Sequence, residues 1–435
     1  MVSRLRLVLV ALTCAALVIT PTAVWYWANL SHAPGGVKTV PPCACNGTLV
    51  AFEVYNATSA LGAAFVDGAP QAFAGNGTVA LVTGVVGDPG KLTTPFPLLG
   101  QVDPNLTDSG AVNRSSEVAT LFAGGDTLGI GWNGSAWLIT GEARWGNLST
   151  GAAAALRGTT WTNLTPLLLP YFEGNGGVWF DAWNGTAWLL GGESNQGAEL
   201  VALQDGVVRD LTSVIPNNGP NHWIQSIGWN GTTWLVGGRG VFGALEGTRY
   251  TNLLPLSAFS QGGVFAAGWN GSAWLVGGGS PGSVESLRGN TLESGPVLPS
   301  NFTLWVDTVA WDGEGWYIGG AGATTAGTRI PELLYWDPSS QTMLDLTSRL
   351  PASFYGGQVQ FGAVWDSGSS SSILFVGQGG LEPATPQGGP SHGAAAVFTR
   401  ELQVEPVSTI AQGSSLRSGL PSNPGVPMAV RARGE

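Results

Sequence analysis

Gly268–Gly279 reads GWNGSAWLVGGG, and the chain repeats it. Gly131–Glu142 reads GWNGSAWLITGE, Ala182–Glu193 reads AWNGTAWLLGGE, Gly228–Arg239 reads GWNGTTWLVGGR, and Ala310–Ala321 reads AWDGEGWYIGGA. Weaker copies at Ala74–Gly84 and Val364–Gly380 bracket the set. The seven lead positions are Gly75, Trp132, Trp183, Trp229, Trp269, Trp311 and Trp365, spaced 57, 51, 46, 40, 42 and 54 residues apart. A unit recurring at that period marks a propeller, a solenoid or an array.

Each copy follows one pattern. A first strand ends in a small residue and then Trp, as in Ala182-Trp183. The inner strands of a propeller converge on a narrow axis, where small side chains fit. Asn-Gly follows. It is the dipeptide of a two-residue type I′ hairpin turn, in which both residues take φ > 0. A second strand carries another Trp and ends in Gly-Gly. Both Trp then project from one face of the hairpin. Packing between neighbouring blades explains them better than a ligand cage does.

A second hairpin comes next: Ala155–Thr165 (ALRGTTWTNLT), Ala202–Thr212 (ALQDGVVRDLT), Ala244–Leu254 (ALEGTRYTNLL) and Leu333–Thr347. Its strand runs out through Asn/Asp-Leu-Thr into a Pro-containing connection. Four short strands, seven times over, predict an all-β fold: a seven-bladed β-propeller of four-stranded blades over residues 48–405. Thr48–Val66 lies ahead of the first repeat and is expected to supply the missing outer strand of the last blade.

At this point the chain resembles the kelch-type propellers, whose ring is that of the galactose oxidase central domain. The sixth repeat carries the likeness best, with Trp316-Tyr317-Ile318-Gly319-Gly320 ahead of Leu334-Tyr335-Trp336-Asp337-Pro338, and Leu350-Pro351 closing the unit. The other repeats depart from that pattern. They lack the aromatic pair after Gly-Gly and use a shorter outer turn. The resemblance implies the ring. The copper ligands of galactose oxidase have no counterpart here.

Composition limits the function. Only 10% of the residues are charged, the net charge is −11, and Lys occurs twice. Without a basic stripe, nucleic acid is not the expected partner. Arg4 and Arg6 precede 24 uncharged residues, Leu7–Leu30, which end in Trp25-Tyr26-Trp27-Ala28-Asn29-Leu30. That length spans a bilayer, the arginines place the N-terminus inside, and the aromatics sit where an interfacial belt would. Residues 1–30 therefore read as an uncleaved membrane anchor, with a cleaved signal peptide as the alternative. Residues 31–47 read as a juxtamembrane linker, and the Ser-, Pro- and Gly-rich residues 406–435 as a disordered tail. The expected location is the cell membrane, single-pass, with the propeller outside. Secretion after cleavage is the alternative. Cys14, Cys43 and Cys45, and the scattered His32, His222 and His392, form no disulfide framework or metal motif.

No nucleophile motif, phosphate loop or dinucleotide fingerprint is present, so no catalytic residue, metal or cofactor is assigned. The pattern does distinguish two faces. Both hairpin turns lie on one face, and the more varied loops lie on the other. The loop face gathers the candidate ligand-binding residues Glu142, Tyr171, Glu193, His222, Trp223, Arg239, Phe259, Phe302, Phe354 and Tyr355. Aromatic platforms beside carboxylates suit sugars or peptides. The same rings could instead cap the core. On the turn face, Asn76, Asn133, Asn184, Asn230 and Asn270 are each Asn-Gly-Ser/Thr, among thirteen sequons in the chain. They are glycosylation candidates, and equally they are what a hairpin turn requires. The expected function is an exported surface module that binds protein or glycan through the loop face. The alternative is an extracellular carbohydrate-active enzyme of sialidase or lyase type.

Overall fold

Trp269 and Trp274 stand directly opposite each other across one hairpin. The loop between them is therefore four residues long, Asn270 to Ala273, rather than a two-residue turn. The Asn270 backbone N–H donates to the Ala273 carbonyl at 3.1 Å. The Asn270 side-chain oxygen accepts the N–H groups of Ser272 and Ala273 at 2.9 and 2.8 Å. A side-chain carbonyl thus does the work of a backbone acceptor, as in an Asx-turn. Only Gly271, at φ +90°, enters the left-handed region, so the type I′ geometry is not adopted. Asn76, Asn133, Asn184, Asn230 and Asp312 make the same bonds. In five blades the paired Trp rings lie 4.7 to 5.2 Å apart on one face, as the pattern predicts.

A computed structural model describes residues 38–39, 43–45, 48–61, 65, 68–86, 96–102, 112–145, 148–216, 218–260, 262–279, 281–325, 329–366, 371–379 and 392–403. Residues 1–30, read as an anchor, residues 406–435, read as a tail, and residues 380–391 lie outside them. Among the described residues no helix is long and apolar enough to cross a membrane. Seven antiparallel sheets form the blades of a ring. Their innermost strands are Gly68–Gly75, Thr127–Trp132, Gly177–Trp183, Trp223–Trp229, Val264–Trp269, Trp305–Trp311 and Gln358–Asp366. Each packs against the next, and the seventh packs against the first, so the ring is closed. The fold is a seven-bladed propeller of four-stranded blades.

Neighbouring blades interlock through the second Trp of each repeat. A Cβ added to Gly131, Gly228 or Gly268 would lie 2.5, 2.5 or 2.7 Å from the indole of Trp188, Trp274 or Trp316 in the following blade. The small residue ahead of the lead Trp therefore makes room for the next blade's ring. The axis is not the reason for it, contrary to the sequence reading.

The seventh blade is completed by the start of the propeller. Thr48–Asn56 pairs along its length with His392–Gln403, from Leu49 opposite Gln403 to Asn56 opposite Ala396. Lys38–Thr39 and Cys43–Cys45, within the stretch read as a linker, add to the outer edge of Thr48–Asn56 and extend this sheet to six strands. The seam to the sixth blade is tied electrostatically. Asp312 replaces the usual turn Asn, caps the turn with one oxygen and accepts the Arg400 guanidinium at 2.9 Å with the other. Arg400 also pairs with Glu314, and these two anions hold its pKa up.

Candidate functional site at the propeller axis

In every innermost strand the pairing slips by one residue near its loop-face end. The extra residues are Gln71, Leu128, Trp179, Gln225, Phe265, Asp307 and Gln360, one per blade. A bulge of this kind re-aims a side chain out of the ladder. All seven line one cavity of about 290 Å³, together with Asp126, Glu142, Phe180, Gln358 and Phe361. Asp126 and Glu142 come from the loop-face ends of the second blade's strands, so the cavity lies at that end of the axis.

Its wall holds four aromatic rings, four glutamines, three carboxyls and one leucine. The Trp179 ring lies 5.7 Å from that of Trp223, tilted by 53°, and Trp223 in turn carries the Arg239 guanidinium 5.0 Å above its ring. The Trp223 indole N–H donates to Gln225 at 3.2 Å. Gln360 donates to Gln71 at 3.3 Å across the seam between the last and first blades. Arg329 donates to Gln358 at 2.9 Å from beneath the Trp305 ring. The Trp179 indole N–H sits beside Glu142 without a well-formed hydrogen bond.

Burial raises the Asp126 carboxyl to about 6. The charge of Glu142 adds to this and Arg144 opposes it. Burial also raises Glu142, against the pull of Arg144, which it meets at 3.3 Å. Glu193 is raised by burial and then by Glu142, so these two carboxyls share one neighbourhood. Burial holds Asp307 well above the usual carboxylate range, although Trp305 and Arg329 favour its charged form.

The residues singled out on the loop face fall into three groups. Glu142 lines the cavity, and Trp223, Arg239 and Glu193 stand beside it. His222 packs on Gly240, Tyr171 is half-buried against the second and third blades, and Tyr355 is 79% exposed; none of these three lines the cavity. Phe259, Phe302 and Phe354 are core residues with 1%, 3% and 0% exposure. Phe65, Phe122 and Phe172 are their counterparts in other inter-blade connections. These rings plug the gap between adjacent blades, because each connection must cover the apolar top of a seam. They offer no surface to a ligand.

Sequence reasoning missed the bulge residues. A trace of them was present: the residue four places ahead of the lead position is Gln71, Leu128, Trp179, Gln225, Phe265 or Asp307. In the seventh blade the bulge at Gln360 puts Val364, not Trp365, at the lead position. On the turn face the five sequon asparagines are half-buried, with their carbonyl oxygens committed to the turn and their amide nitrogens left out of it.

A further buried carboxyl, Asp181, lies in the seam between the second and third blades. Asp181 accepts the Thr140 hydroxyl at 2.9 Å with one oxygen, while its other oxygen has no partner. Other blades place Phe73, Ile130, Ile227, Ala267 or Val309 there. Burial lifts Asp181 to about 7, and Glu332 in the sixth blade likewise to about 7. A carboxyl with a raised folded-state pKa binds its proton more tightly when folded. Its contribution to stability falls as pH rises from the unfolded value of about 4 to about 7, then levels off. Asp181→Asn should flatten that slope by an amount on the order of a few kcal/mol. Melting temperatures of both proteins across this window test it, and an unchanged slope would mean that Asp181 titrates normally.

No protein-family model and no curated protein matches the sequence. Among solved structures, the chain is similar to the β-propeller domain of the Trilobed protease from Pyrococcus furiosus. The identity is 10%, with 77% of this chain and 94% of that chain covered and a TM-score of 0.45. It is also similar to Sqt1 from Chaetomium thermophilum, at 11% identity, 74% and 91% coverage and a TM-score of 0.44. A third similar structure is the extracellular domain of a putative one component system from B. thetaiotaomicron, at 11% identity, 77% and 39% coverage and a TM-score of 0.46.

Proposed function

We propose that this protein is an exported, membrane-anchored binding module of divergent kelch-type descent, whose ligand enters the axial cavity from the loop face. The convergence of all seven bulge residues on one cavity carries this reading. A bulge forfeits ladder hydrogen bonds. Seven at one level, lined by rings and amides rather than filled with aliphatic side chains, make a concave surface suited to a ligand. The uncharged run Leu7–Leu30 behind Arg4 and Arg6 supports an outward-facing propeller. Glycans at the turn-face sequons would leave the loop face free.

Binding to glycan and peptide arrays tests the reading, with the full-length protein compared with Gln225→Trp, which puts an indole into the cavity. Array ligands held by the natural protein and lost by the variant are the expected result. Ligands held equally by both would place binding elsewhere, and a blank on both arrays would count equally against it. Intact-mass analysis of protein from its native membrane reads anchor retention and glycosylation together. A second reading, a carbohydrate-active enzyme, is favoured by Asp126 beside Glu142: a carboxyl raised to about 6 next to a second carboxyl can exchange a proton near neutral pH. Turnover of an arrayed glycan, lost in Asp126→Asn, would select it.

A further inference from the structure

The cavity wall has an imbalance of charge and hydrogen bonding. None of its twelve lining residues is basic, while Asp126, Glu142 and Asp307 are acidic. One oxygen each of Asp126, Asp307 and Gln360 is buried in the wall without a hydrogen-bond donor, against a single unpaired donor, the Trp179 indole N–H beside Glu142. Unpaired buried oxygens are costly, and a cation placed among them would draw the carboxyls of Asp126, Glu142 and Asp307, all raised by burial, into their charged forms. The arginines nearby stand outside: Arg144 on Glu142, Arg329 on Gln358, and Arg239 over Trp223. Arg144 and Arg329 favour the charged forms of Asp126 and Asp307 without occupying the space between them.

The same space is flanked by the rings of Trp179, Phe265 and Phe361. Aromatic faces attract a cation, and more strongly where it is desolvated. A lysine ammonium or arginine guanidinium brings only donors and a positive charge, the complement of this wall. The carboxyls do not form a metal cage: among the described residues no group of three or more His, Cys, Asp or Glu is placed to hold a metal ion. About 290 Å³ is at the small end of ligand pockets. It admits one long side chain more readily than an oligosaccharide. A net charge of −11 also draws basic partners towards the molecule.

Building on the binding role proposed above, we infer that the axial cavity receives a single cationic side chain of a partner protein, held between aromatic rings and the carboxyls of Asp126, Glu142 and Asp307. The glutamines, whose side-chain oxygens are largely engaged at Gln71, Gln225 and Gln358, keep amide N–H groups for the peptide carbonyls beside that side chain.

Ligand-observed NMR titration of the full-length protein in detergent tests this, with Nα-acetyl-lysine methylamide, its uncharged norleucine analogue and methyl glycosides as probes. The lysine compound should bind at least about tenfold more tightly than the norleucine compound. Asp307→Asn should narrow that gap, and Gln225→Trp should abolish binding. Equal binding of the lysine and norleucine compounds, or no binding of the lysine compound, would overturn the cationic reading. A glycoside that binds best would overturn it in favour of a sugar. Lysine binding that survives Gln225→Trp would overturn the assignment to this cavity. The array comparison judges the broader binding role separately, because it registers ligands of any charge.

Discussion

Phe52→Ala is expected to destabilise the protein by about 3–5 kcal/mol, the range for removing a fully buried phenylalanine. Phe52 has 0% exposure. It belongs to Thr48–Asn56, the strand that closes the ring, and its ring meets Tyr335 at 4.9 Å and Tyr317 at 6.1 Å in the sixth blade. The substitution thus empties a site at the junction of two blades and loosens the strand that holds the last blade shut. The strand reaches its partner from the opposite end of the propeller sequence, so its pairing costs a long loop closure before any contact forms. Phe52 is what rewards that closure. Urea unfolding of the natural protein and the variant measures the effect. A loss below about 1 kcal/mol would show that the ring closes without help from this side chain.

Trp274→Ala should cost a similar amount, about 3–5 kcal/mol, whereas Trp269→Ala, on the same hairpin, should cost less. The two rings lie 5.2 Å apart, but they are not equivalent. Trp274 is 4% exposed and lies over Gly228 of the preceding blade, while Trp269 is only half-buried. The reciprocal change, Gly228→Ala, forces a methyl to within 2.5 Å of the indole and should cost about 1–3 kcal/mol by overpacking. In the double variant the two penalties should not add, because the alanine methyl then occupies space that the indole has vacated. Strict additivity in that cycle would separate the two residues and remove the interlocking account of the blades.

Several local features were legible because they are short-range. Asn-Gly marks a hairpin wherever it occurs between apolar runs, and the two Trp fall on one face because side chains alternate along a strand. The detailed turn was misread. An Asn side chain that bonds the backbone two and three residues on relieves Asn of positive φ, and a dipeptide alone does not distinguish that arrangement from type I′. The loop aromatics were ambiguous for a similar reason. Phe354 and Tyr355 are neighbours, yet one is sealed in a seam and the other is 79% exposed. Sequence records that both are aromatic. Which one turns inward depends on the blade beneath.

What the sequence by itself determined was the repeat: seven units, four strands in each, paired Trp on one face and a small residue ahead of the lead Trp, whose purpose only the neighbouring blade's ring revealed. Those properties follow from periodicity and turn chemistry, which act over a few residues. The axial cavity was decided by the tertiary structure. Gln71 and Gln360 are 289 residues apart and hydrogen-bond only because the ring closes. Asp307 and Trp179 face one hollow only because a bulge at the same level in every blade turns its residue inward. Each bulge is a local slip, but a shared cavity requires seven strands around one axis.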